Sequence, residues 1–240
     1  MKKTLISLAI LSIALFSISF KTGDGSCSPY FPVKQGTTIE RKSYNDKDKQ
    51  TGRSVQTILT STSTGSSLTL SVKGTTYNDK DEKTSETTFD AKCQNGTFYL
   101  NMAANAQPRK GPSNMTATVT GDFMEFPSTL TPGMTLNGGT MTIKMVSNDP
   151  NMAQMGMSNM TVTNTTSNRK VICDTTVTTS AGTFKCVKIS SDQTTKSSMF
   201  TNTFHVVECY SKNVGQVRSE TYNDKGKLMG YSLITSISGN

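Results

Sequence analysis

Tryptophan is absent from all 240 residues, and histidine occurs once, at His205. A glycosidase would pair two carboxylates across a sugar cleft usually floored by Trp, so that class is disfavoured. A Ser-His-Asp or Cys-His arrangement would have to recruit His205. It lies between Phe204 and Val206–Val207 in a strand-like run, and no G-x-S-x-G elbow accompanies it. The H-E-x-x-H, P-loop and dinucleotide fingerprints are missing. So is any C-x-x-C, which removes zinc ribbons and thioredoxin-like redox pairs. Lys and Arg are scattered, with no basic run of five or more. A nucleic-acid partner would call for a basic stripe interleaved with aromatics. The expectation is a protein that is not an enzyme, carries no cofactor and binds no nucleic acid.

Long apolar runs are lacking too, with one exception at the start. Lys2 and Lys3 precede "TLISLAILSIALFSISF", an apolar stretch with small residues Ser17 and Ser19 near its end. This pattern reads as a signal peptide over residues 1–19, and implies export to a bacterial periplasm or the cell exterior. Nothing later is long and apolar enough to span a membrane. Removing the signal lowers the formal charge from +8 to +6. A lipoprotein signal wants an aliphatic residue three before its cysteine, whereas Asp24 stands three before Cys27. The chain is therefore expected to be unlipidated, with a polar lead over 20–28 and a single β-rich domain over 29–238.

Threonine is abundant, with 39 of 240 residues, while hydrophobic content is only 33%. Many β-branched residues in a chain of modest hydrophobicity favour strands with one wet face. No sustained 3.6-residue pattern appears after the signal. Alternation is clear in "SSLTLSVKGTTY", where Leu68, Leu70 and Val72 share a face, and in "SETTFDAKC", where Phe89, Ala91 and Cys93 do. "QNG" after Cys93 predicts a tight hairpin. "TVTNTTSN" and "KVICDTTVTTS" read as two separate strands. In the last strand, Met229, Tyr231, Leu233 and Ile237 are expected to line one face. Short connections between successive strands favour an antiparallel meander. The predicted fold is all-β and mostly antiparallel, a single strongly curved sheet or incomplete barrel built from hairpins, with an irregular Met-rich segment.

Tyr-Asn-Asp-Lys occurs three times, at Tyr44–Lys47, Tyr77–Lys80 and Tyr222–Lys225. Alternating Asp residues suggest calcium loops, but Lys interrupts the carboxylates and Gly226 replaces the second Asp in the third copy. Asn45, Asp46, Asn78, Asp79, Asn223, Asp224 and Gly226 are better read as hairpin joints, because Asn and Asp bond their own backbone and Gly supplies positive φ. Six methionines fall between Met141 and Met160. Soft thioethers at Met152, Met155, Met157 and Met160 suit Cu(I), but also serve as adaptable apolar packing or a ligand-binding flap. Five cysteines leave at least one unpaired or paired between molecules. Cys27–Cys93 would tie the lead to an early strand, Cys173–Cys186 would span a turn, and Cys186–Cys209 competes. The pairing stays open at this level.

The blocks "YFPVKQGTTIERKSYNDKDKQTG", "AKCQNGTFYLNM", "TTSAGTFKCVKIS" and "KNVGQVRSETYNDKGKLMGYSLITSI" resemble the TapB-like proteins, secreted bacterial domains of unknown function. The likeness runs from about Cys27 to Ile237. It implies a curved antiparallel sheet or open barrel without established catalysis, and family cysteines matching Cys27, Cys93 and Cys186. The function expected is an exported, non-enzymatic binding protein whose partner is an apolar ligand, such as a lipid-like molecule, or an apolar element of an envelope protein. A structural or assembly role in the cell envelope is the alternative, and soft-metal binding a lesser one.

Overall fold

The computed structural model describes Cys27 and residues 29–105, 115–147, 149–150 and 158–239. The strands are β1 (Thr38–Asn45), β2 (Gln50–Thr64), β3 (Ser67–Asn78), β4 (Lys83–Gln94), β5 (Thr97–Asn101), β6 (Met115–Gly121), β7 (Phe123–Pro127), β8 (Gly139–Ser147), β9 (Asn159–Thr179), β10 (Gly182–Lys196), β11 (Thr201–Ser211), β12 (Gly215–Tyr222) and β13 (Leu228–Ser238). All thirteen belong to one antiparallel sheet in the order β6-β8-β9-β10-β11-β12-β13-β1-β2-β3-β4-β5-β7. The sheet coils into a nearly closed barrel with a single unsealed seam between β6 and β7.

Those two edge strands are consecutive in the chain, separated only by Asp122. Asp122 touches both sides of the seam: its N–H donates to the Thr140 carbonyl and its carbonyl accepts from the Met102 N–H, each at 2.9 Å. The segment after β7 then runs beside β9. Leu136 N–H donates to Arg169 O, and Val171 N–H to Met134 O, each at 2.9 Å.

Alternation drives the packing. Leu68, Leu70 and Val72 of β3 stand opposite Cys93, Ala91 and Phe89 of β4, and all six are buried. They join Phe31, Phe98, Phe126, Val171, Ile189 and Tyr210 in the main core. A second cluster holds Ile39, Cys186, Cys209, Val217 and Ile234. The β9–β10 hairpin tip packs against it through Val177, Ala181 and Phe184, and Ser180 Oγ donates to Thr235 O at 2.9 Å. Asn95 and Gly96 both adopt positive φ in the β4–β5 turn, as a two-residue hairpin of the primed type requires.

Two expectations need correction. The two strands read around Asn168 are a single strand of 21 residues, β9. Asn168 takes a φ of 52° there, and the register with β10 shifts nearby, so the break read from the sequence is an irregularity within a continuous strand. In β13 the register shifts against β1 between Glu40 and Arg41, leaving Thr235 without a facing partner. This extra residue changes the parity of the strand. Ile234 is therefore the fully buried side chain, while Met229 is 47% exposed.

Candidate functional site

The three Tyr-Asn-Asp-Lys segments form one repeated turn. In each, the Asn Oδ1 accepts two backbone N–H groups, from Lys47 and Lys49, from Lys80 and Glu82, and from Lys225 and Lys227, at 2.9–3.0 Å. The fourth residue after Tyr takes positive φ: Asp48 at 59°, Asp81 at 66° and Gly226 at 72°. Gly226 thus stands where the other copies have Asp because that position needs a left-handed backbone. The strands preceding these turns run in the same direction, so all three turns lie on one rim of the barrel. Side chains tie the rim together. Lys227 Nζ lies 3.3 Å from Asp46 Oδ2, and Tyr231 O–H donates to Asp48 Oδ1 at 2.9 Å. Arg53 pairs with Asp81 and lies 3.6 Å over the Tyr77 ring, while Tyr44 stacks on Tyr231 at 5.1 Å.

Just inside this rim is a cavity of about 260 Å³ lined by Arg41, Ser54, Gln56, Thr75, Thr87 and Gln216, among others. Arg41 reaches it because Ile39 and Arg41 share the inward parity of β1. The Arg41 side chain is 92% removed from solvent (8% exposed). Its Nε donates to Gln216 O and its Nη1 to Gln56 Oε1, each at 2.8 Å. Burial pushes the guanidinium down to about 10, so it remains charged at neutral pH. Among the described residues no carboxylate pairs with it. A buried charge without a counter-charge is costly.

A second polar group lies deeper. Glu208 accepts from Tyr210 O–H at 3.1 Å and from Gln216 Nε2 at 2.5 Å, and burial pushes its carboxyl above the ordinary range. Burial, then Glu208, drives the Tyr210 phenol up. Arg169, 1% exposed, donates from Nη1 to Asn137 O at 2.6 Å and to Glu125 O at 3.3 Å, with its guanidinium 4.8 Å over Phe126. It therefore bridges β7 to the segment beside β9 across the seam. Larger hollows exist on the sheet, one of about 740 Å³ beside His205 and Tyr222, but they are more open. His205 itself is half-exposed, with Nδ1 3.1 Å from Asp192 Oδ1.

Residues 34–234 match the protein family described as DUF3108-like. The chain belongs to the DUF3108-like family. Two solved structures share the DUF3108-like fold seen here. One, from Bacteroides fragilis, is described as an exported protein with a YmcC-like fold. It is 23% identical, with a TM-score of 0.73 over 88% of this chain and 100% of its own. The other, from Parabacteroides distasonis, is described as a lipoprotein, and is 22% identical with a TM-score of 0.73 over 89% and 100%. No curated protein matches the chain.

Within this DUF3108-like barrel, the residues singled out from sequence fall in different places. Cys27 and Cys93 form a disulfide, while Cys173, Cys186 and Cys209 are free thiols. Met152, Met155 and Met157, like the signal segment, lie outside the described residues. Met160 is half-buried on β9 directly opposite Met145 of β8. Among the described residues no group of three or more His, Cys, Asp or Glu is arranged to hold a metal ion. The inward face of the sheet is occupied by apolar side chains such as Phe31 stacked on Phe98 at 5.0 Å. Arg41, Gln56, Glu208 and Arg169 were not anticipated. The usable signal was parity: Arg41 lies two residues after Ile39 in an alternating strand.

Proposed function

We propose that this chain is an exported, non-enzymatic binding protein of the bacterial envelope, and that its ligand enters the Arg41 cavity. The carrying observation is a partly open cavity that holds a buried cation without a counter-charge. Protein interiors rarely keep such a group for stability alone. The family match and the described export of a fold neighbour support the envelope setting. Within the family, we read the four sequence blocks given above as TapB-like. The Cys27 sulfur, bound to Cys93, is not free to carry a thioether-linked lipid, which supports an unanchored mature protein.

With the apolar interior already filled, our reading moves the ligand from lipid-like to polar. Native mass spectrometry of protein taken from the periplasm tests it. A retained small molecule that disappears in Arg41→Met is the expected result. Protein that carries nothing and gains no thermal stability from a fractionated envelope extract would sink it. The second reading, assembly with an envelope protein, draws on the unpaired edges of β6 and β7, which offer backbone groups for strand addition. Elution of the native protein with a partner whose capture is lost on mutating β6 would favour that reading instead.

A further inference from the structure

The donors around Arg41 say more about the ligand than the cavity's existence does. Arginine offers only N–H donors. Gln56 therefore turns its carbonyl oxygen to Arg41, at 2.8 Å, which leaves the amide nitrogen for the cavity. A further hydroxyl comes from Ser54, which pairs with Arg41 across β1 and β2, while the Ser85 hydroxyl is shared with Thr76 at 3.0 Å; the lining contains neither Asp nor Glu. The nearest buried carboxylate, Glu208, is already held by Tyr210 and Gln216 and does not line the cavity. An acid-free wall around a cation selects an oxyanion, and the Gln56 amide and Ser54 hydroxyl beside it suit a hydroxylated body. At roughly 30 Å³ per water, a volume of 260 Å³ holds about nine waters, the scale of a monosaccharide.

We infer that the cavity binds a small hydroxylated anion of about monosaccharide size, its carboxylate or phosphate engaged by Arg41. Resting on the proposal that this cavity is the binding site, the inference adds the ligand's charge and size. Gln56→Glu provides an internal check, since it would place a carboxylate against Arg41 where the ligand's anion belongs.

Thermal unfolding and calorimetric titration of the full mature protein with glucuronate, glucose 6-phosphate, glucose and inorganic phosphate test the idea. At least one of the two sugar anions is expected to bind and raise the unfolding midpoint, and which one responds tells carboxylate from phosphate. Glucose should be without effect. Arg41→Lys should weaken binding by about ten-fold or more, because an ammonium cannot keep the Gln216 and Gln56 contacts and still present further N–H donors in a fixed plane. Gln56→Glu should raise the midpoint of the unliganded protein and abolish its response to anions. Glucose binding as well as glucuronate would overturn the anionic assignment while leaving the cavity as a binding site. Inorganic phosphate matching the sugar anions would overturn the sugar-sized body. No response to either sugar anion would overturn the inference outright, and the retained-molecule experiment then judges the binding role by itself.

Discussion

Single residues decide the rim of this barrel. Gly226 occupies a left-handed position, with φ of 72°, that Asp48 and Asp81 fill in the sister turns. Gly226→Val should therefore cost about 1–2 kcal/mol, while Gly226→Asp should cost much less; urea denaturation of both variants measures the difference. Glu208 gives the protein a pH signature. Its folded carboxyl is raised by burial, so the folded state keeps a proton that the unfolded chain has already released. Stability must then fall as pH rises from the ordinary carboxylate range to the raised folded value. Asp81 and Glu86 act in the opposite sense. Arg53 and Lys73 respectively hold them below the usual range, and their contribution is lost as pH drops through their folded values. Glu208→Gln keeps an acceptor for Tyr210 and removes the titration. Its stability relative to the parent should climb from about pH 4.5 upward and level off, as read by urea unfolding between pH 4 and 8. Equal pH profiles for the two proteins would contradict the assignment.

At the scale of elements, period-two alternation made β3 and β4 legible, and Asn-Gly made their following turn so, because both signals are local. The sites of disagreement share a cause: register is set by neighbouring strands. The bulge that buries Ile234 is a mismatch between β13 and β1, and the continuity of β9 past Asn168 is enforced by pairing with β10. Parity places Arg41 on the inward face, but its cavity was unreadable for the same reason. Its cavity needs Gln216 and Gln56, which lie 175 and 15 residues away in sequence and meet it only once β12, β13, β1 and β2 align. Arg169 is the element-scale counterpart, a side chain that stands in for a missing strand at the open edge of β7. Arg169→Met would leave the Glu125 and Asn137 carbonyls without their donor, at a cost of about 2 kcal/mol. Amide hydrogen exchange in β7 should accelerate more than in β3, and uniform acceleration would mean that Arg169 does not act locally at the seam.

The whole molecule is two arcs joined at both ends. One runs β1-β2-β3-β4-β5-β7 and the other β6-β8-β9-β10-β11-β12-β13; they join at the β1–β13 ladder and, at the seam, through Asp122 and Arg169. Deleting β13 would expose the inner edges of both β1 and β12 and remove Ile234 from the second core. Such a truncation should yield aggregated or unfolded protein by size-exclusion chromatography and circular dichroism. A monomeric, folded product would show that the β1–β13 ladder is dispensable. The order of synthesis gives this ladder a temporal meaning. The strands from β1 to β5 can pair as soon as about the first hundred residues have emerged, since each neighbours the next in sequence. The second partner of β1, however, is β13, the last of the thirteen strands of this sheet in chain order. A half-built sheet must therefore wait with its β1 edge bare until β13 arrives, and that interval is when the nascent chain most needs a chaperone.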